Sequence, residues 1–172
     1  MIDLSQLRLE PGVERAVEVP IVVPVLGIGG VDYEGPLSPP IARVNITRLL
    51  TGLLLRLRLQ TTITGPCHRC LEPASVPVAI DAREYQADHP EVGAESDEVC
   101  DYLQGDELDV GAWAGDAIVL SMPHKILCRE DCQGLCPSCG TNLNEGTCQC
   151  PPPEADNRWS ALQQLVEGDT EG

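Results

Sequence analysis

The sequence predicts an α+β chain that is mainly antiparallel β, with a few short helices and a cysteine-rich module at the C-terminal end. Three observations carry that prediction. Apolar and polar residues alternate with period two through the first half, where Val, Ile and Leu dominate and Phe is absent. One clear apolar stripe at helical spacing follows, after residue 109. Six of the nine cysteines then fall between Cys128 and Cys150.

The elements follow in order. Residues 3–10 read as a short helical turn or an extended lead-in. Val13–Val25 is β-branched and alternating, so it reads as strand, with Pro20 and Pro24 suiting an edge or a bulge. Gly27–Pro40, rich in Gly and Pro, reads as a loop. Ile41–Leu50 and Leu53–Thr64 read as two strands around a Thr51-Gly52 turn, hence a hairpin. In the second strand Leu55, Leu57 and Leu59 face one way, and Arg56 and Arg58 the other. Val76–Tyr85 reads as the next strand, Gln86–Gln104 as a polar, acidic loop, and Glu107–Val110 as a short strand. Asp109 can cap a helix that presents Val110, Trp113, Ala114, Ala117, Ile118 and Ser121 on one face, and Pro123 ends it. After the cysteines, Pro151–Pro153 is a stiff spacer. Asp156–Glu167 reads as a last helix with Trp159, Leu162, Leu165 and Val166 as its stripe.

Charge is unevenly placed. The net −16 belongs to residues 81–172, with four basic and twenty acidic residues; residues 1–80 balance at seven Arg against seven acids. From Arg43 to Arg69 there are five arginines (Arg43, Arg48, Arg56, Arg58, Arg69) and no acid. These five are candidate phosphate contacts for RNA. The alternative is a solvated sheet face, or one that binds the protein's own acids. Aromatic residues are too few there for base stacking. The acidic stretch Asp81–Asp116 suits a solubilising loop or a surface for a basic partner such as a ribosomal protein.

The cysteines have metal-ligand spacing. Cys136-Pro-Ser-Cys139-Gly140 is a tight turn that points two thiolates at one cation, and Cys67-His-Arg-Cys70 repeats the two-residue gap upstream. The N-terminus has neither the basic nor the apolar region of a secretory leader, and no apolar run approaches the ~20 residues of a membrane span. The expected compartment is therefore cytoplasmic and reducing, where clustered cysteines bind metal more often than they form disulfides. The spacing does not match ferredoxin runs, which favours Zn2+ over iron–sulfur. Setting Cys100 aside leaves eight thiols, enough for two zinc sites. One division pairs Cys136, Cys139, Cys148 and Cys150 locally, as a zinc-ribbon-like module, and leaves Cys67 and Cys70 with Cys128 and Cys132. The other gives the C-terminal run a single site, with Cys67 and Cys70 free or redox-active. The expected organisation is residues 1–122, a mainly β domain with a basic hairpin (41–64) and an acidic loop (86–109), and residues 123–172, a cysteine-rich zinc-binding module with a terminal helix. Thiolate-rich sites are closed and structural, so no catalytic residue is expected. A thiol redox protein using Cys67 and Cys70 stands as an alternative, as does a metal-dependent nuclease using Asp106, Glu107 and Asp109.

Four segments together resemble the YceD family. They are Cys67-x-Arg69-Cys70-Leu71-Glu72 after a strand, the run Leu127 to Asn144 with its four cysteines, Cys148-x-Cys150, and Asp156-x-Arg158-Trp159-x-x-Leu162. The resemblance runs from about Asp3 to Leu165, and its two cysteine motifs are the specific part. It implies a non-enzymatic bacterial or plastid protein tied to accumulation of 23S ribosomal RNA. The implied partner is that RNA or its precursor particle, directly or through a basic ribosomal protein, with no membrane and no small-molecule substrate. Some family members lack the C-terminal cysteines. Arg69 and the cysteines carry over as motif members.

Overall fold

The structure, a computed structural model, describes residues 1–90 and 98–151. The expected helix at 156–167 lies outside the described residues. The chain divides into two compact units, Met1–Gly134 and Leu135–Gly172.

The first unit is built on a four-stranded antiparallel sheet. Its strands are β2 (Glu14–Pro20), β5 (Ile41–Arg48), β6 (Gly52–Pro66) and β7 (Pro73–Ala87), in the order β2-β5-β6-β7. The predicted hairpin is β5–β6, and β6 continues into a fifteen-residue pairing with β7. Period-two alternation sorts the residues. Ala42, Val44 and Ile46 of β5, Leu55, Leu57, Leu59 and Ile63 of β6, and Ala74, Val78 and Ile80 of β7 are all buried on one face. β7 is an edge strand of this sheet, which suits Pro73 and Pro77 within it.

Helix α1 (Val110–Ser121) packs beside β7. Asp109 caps it as the sequence predicts, its carboxylate accepting the Ala112 N–H at 3.0 Å. Val110, Trp113, Ala114 and Ile118 are buried, and Trp113 stacks on Tyr102 with ring centroids 6.1 Å apart. A small sheet joins β1 (Ile2–Asp3), β8 (Leu103–Gln104) and β9 (Glu107–Leu108). The lead-in therefore holds both readings given above, a strand pair followed by a 3-10 turn at Leu4–Gln6.

Two elements differ from those expected. The strand expected over 13–25 stops at Pro20. The loop expected over 27–40 contains a hairpin, β3 (Leu26–Ile28) and β4 (Val31–Tyr33). Gly29 and Gly30 both sit at positive φ, 62° and 81°, which a two-residue hairpin turn of this hand requires. Gly-Gly read as a loop is here the turn of a strand pair. Tyr33 then lies over Gly65, where a Cβ would come within 2.3 Å of its ring. The expected division at 122/123 falls inside the first unit, because the segment 126–134 folds back onto the end of β6. His68 N–H donates to the Ile126 carbonyl at 2.7 Å, and Gly134 packs on Arg69.

Candidate metal centres

The eight clustered cysteines form two groups of four. Within each group the sulfurs all lie within 4.8 Å of one another. All are free thiols.

The first group is Cys67, Cys70, Cys128 and Cys132. Cys67 and Cys70 occupy the turn between β6 and β7. The turn is closed by Leu71 N–H to the Cys67 carbonyl (3.0 Å) and Cys67 N–H to the Glu72 carbonyl (2.7 Å). Arg69 N–H points at the Cys67 sulfur, 3.4 Å away. Cys132 Sγ lies 3.7 Å from Cys67 Sγ, and Cys128 Sγ lies 3.5 Å from Cys70 Sγ. Four sulfurs about 2.3 Å from a tetrahedral zinc stand about 3.8 Å apart, and a disulfide would bring two to about 2.05 Å. The spacing fits a shared cation. Cys67, Cys70 and Cys132 are buried, while Cys128 is exposed.

The second group is Cys136, Cys139, Cys148 and Cys150, in the second unit. Its turn repeats the first: Gly140 N–H donates to the Cys136 carbonyl (2.9 Å) and Cys136 N–H to the Thr141 carbonyl (2.9 Å). The residue after the second cysteine is left-handed in both turns, Gly140 at φ 73° and Leu71 at φ 64°. Asn142 turns the chain back toward Cys148. Its Oδ1 accepts the backbone N–H of Asn144 (3.1 Å) and the Asn144 side-chain amide (2.8 Å).

Each group mixes easily ionised and reluctant thiols. Burial pushes the Cys67 thiol up, but the N–H groups of Cys70, Arg69 and Cys128 outweigh it and lower it to about 6. Burial, then the sulfurs of Cys70, Cys132 and Cys67, raise Cys128 to about 12. In the second group the Thr141 hydroxyl and N–H lower Cys139 to about 6. The Cys139 sulfur, then burial, raise Cys150 to about 12. Four thiolates so close require a cation to ionise together.

The candidate arginines do not form one patch. Strand register places Arg43 directly opposite Arg58, and Arg56 opposite Arg83, on the outer face of the sheet. Arg48 has the parity of the inner face and pairs with Asp88 at 2.8 Å. Arg56 grips the Asp81 carboxylate with two donors, its Nε at 2.6 Å. Arg58 donates to the Oδ1 of Asn45 (2.9 Å), whose amide donates to Glu14 (2.6 Å). Arg69 straps the first cysteine group, its Nη1 donating to the Cys132 carbonyl at 2.7 Å. Sequence reasoning missed Asn45 and Arg83. Arg83 was visible as the lone basic residue of Asp81–Asp116. Of the acids weighed for a nuclease site, Asp109 is the cap of α1.

The profile of one protein family, described as "Large ribosomal RNA subunit accumulation protein YceD", matches residues 55–166. The chain belongs to the YceD family. The matched segment begins in β6 and takes in both cysteine groups. An uncharacterised protein of Mycobacterium tuberculosis is 31% identical over 124 residues, covering 69% of this chain and 59% of the relative. A maize protein, named "Large ribosomal RNA subunit accumulation protein YCED homolog 1, chloroplastic", is 29% identical over 161 residues, 74% of this chain and 55% of its own length. An uncharacterised protein of Mycobacterium leprae is 30% identical over 115 residues, 63% of this chain and 52% of the relative. The chain thus spans between half and three fifths of the length of these relatives. No solved structure matches it. Among the described residues, no helix is long and apolar enough to cross a membrane.

Proposed function

We propose that this protein is a cytoplasmic, non-enzymatic zinc-binding factor that promotes 23S rRNA accumulation by binding the rRNA or its precursor particle, directly or through a basic ribosomal protein. The observation that carries the reading is the pair of four-sulfur groups. Four protein thiolates fill a tetrahedral zinc, so no position stays open for water or substrate. When bound, the metal supplies a cross-link and charge compensation for the thiolates. The chain's own residues do the rest: the Arg69 strap and the β6–β7 turn hold segment 126–134 against the sheet.

The redox alternative is disfavoured by burial. Cys67 and Cys70 are 0% and 3% exposed and lie between two strands, whereas reactive thiols are accessible and commonly stand at a helix N-terminus. The test is complementation. In a host whose own family member is deleted, the wild-type chain is expected to restore large-subunit rRNA levels and the Cys67→Ser/Cys132→Ser variant is not. Restoration by a variant that is folded but metal-free at that site would reject a role for the first zinc. Failure of the wild-type chain to change rRNA levels would reject the function itself.

A further inference from the structure

The outer face of the sheet carries an arrangement that ordinary sheet stabilisation does not explain. Like charges directly opposite on neighbouring strands are unfavourable, yet Arg43 faces Arg58 and Arg56 faces Arg83. The acids of that face do not resolve the first pair. Asp81 stands opposite Arg58 in register but is gripped by Arg56, one row away. Glu18 stands opposite Arg43 but forms no ion pair with it, and the Arg43 side chain has no hydrogen bond or ion pair among the described residues. Glu14 is engaged by the Asn45 amide.

Asn45 is the second observation. It lies at the centre of the solvent face and is nevertheless only 2% exposed. Its carbonyl fixes one nitrogen of Arg58, and its amide is fixed in turn by Glu14. A guanidinium held this way is already oriented and loses little freedom on binding. Beside it is a groove of about 540 Å3 lined by Ile41, Arg43, Arg58, Gln60, Ala79 and Asp81. Small Ala79 leaves the floor open, and Gln60 adds an amide.

We propose that Arg43 and Arg58, with Arg58 positioned by Asn45, clamp a phosphodiester of the RNA backbone in this groove. Arg83 is the next cation on the same face, for a neighbouring phosphate. The inference rests on the rRNA role proposed above and names the contact that serves it. The ligand is backbone rather than base. Tyr85, which shares this face with Asp81 and Arg83, has its hydroxyl bonded to Thr51, and no aromatic side chain lines the groove. The net −16 of the chain sets a repulsive background, so a locally arranged pair of donors is what an acidic protein needs to hold a phosphate.

The test uses the full zinc-loaded chain and two probes, a fluorescent RNA duplex of about 20 base pairs and a single strand of the same length, titrated across salt concentrations. Each phosphate contact adds roughly 0.7 to 0.9 to the slope of log affinity against log salt. The Arg43→Gln/Arg58→Gln variant is expected to lose about 0.8 from that slope and on the order of 6-fold in affinity at 100 mM salt. Its melting temperature should hold or rise, because a like-charge opposition is removed. Asn45→Ala should weaken binding while leaving the slope nearly intact, since both charges remain. Asp81→Asn should tighten binding by releasing Arg56. The probe bound more tightly identifies the backbone form. Two results overturn the clamp. A double variant with wild-type affinity and slope places the RNA contact elsewhere. A wild-type chain that binds neither probe, while still restoring rRNA in the complementation assay, excludes direct backbone contact and leaves the family role standing.

Discussion

Leu71 occupies a left-handed backbone position, φ 64°, where the matching turn has Gly140 at φ 73°. A branched side chain costs about 1 kcal/mol there, and Leu71 recovers little by packing because it is 64% exposed. Leu71→Gly is therefore expected to stabilise the protein by about 1 kcal/mol in urea unfolding. No gain would mean that Leu71 makes a compensating contact. The cysteines behave differently. Cys67 is fully buried among three other sulfurs, and its replacement by Ser removes a ligand from the group. With zinc bound in the wild type, Cys67→Ser is expected to cost on the order of 4 kcal/mol, whereas Cys100→Ala should leave zinc content unchanged. Residue types and spacing were enough to nominate all eight thiols, because C-x-x-C turns are local. The alternation of Arg56 and Arg58 was equally legible. That Arg48 turns to the other face was not drawn from it, although five residues, an odd number, separate it from Arg43 on β5. Nor could Asn45 be seen, since an Asn between Val44 and Ile46 gives no sign of the arginine that covers it.

At the scale of elements, strands and caps followed from short-range chemistry. β5, β6, β7 and α1 appear where alternation, a turn glycine and a capping Asp require them. Asp109→Ala should lower stability by about 1 kcal/mol, read by thermal unfolding, through loss of the bond to Ala112 N–H. An unchanged melting temperature would deny the cap that role. The β3–β4 hairpin escaped notice because three-residue strands are too short to show a period. Their pairing is set by Gly29-Gly30 and by Tyr33 lying on Gly65. The length of β6 and β7 was underestimated for a related reason. The residues at the end of β6, Gly65–Pro66, and at the start of β7, Pro73–Ala74, carry no alternation and are paired as the arms of the cysteine turn.

For the whole molecule, the expected boundary followed composition and put all six C-terminal cysteines in one module. The chain instead divides at 134/135, and each unit holds one complete four-sulfur group. The cysteine run thus supplies one whole four-sulfur group and half of another, completed by Cys67 and Cys70 after the end of β6. Metal should then matter differently to the two units. The first has an aliphatic core of its own, while the second has little buried apolar surface among its described residues. On chelation, the second unit should lose its ordered structure and the first should keep its strands with a lower melting temperature, as followed by amide exchange. Retention of protected amides at Cys136 and Gly140 without metal would contradict this.

The most direct test of the two-site account is the zinc content of three purified proteins, measured by native mass spectrometry: wild type, Cys132→Ser and Cys148→Ser. The account predicts two zinc ions in the wild type and one in each variant, each variant losing the metal of its own group. A wild type holding a single zinc, or a Cys132→Ser protein that still holds two, would contradict it.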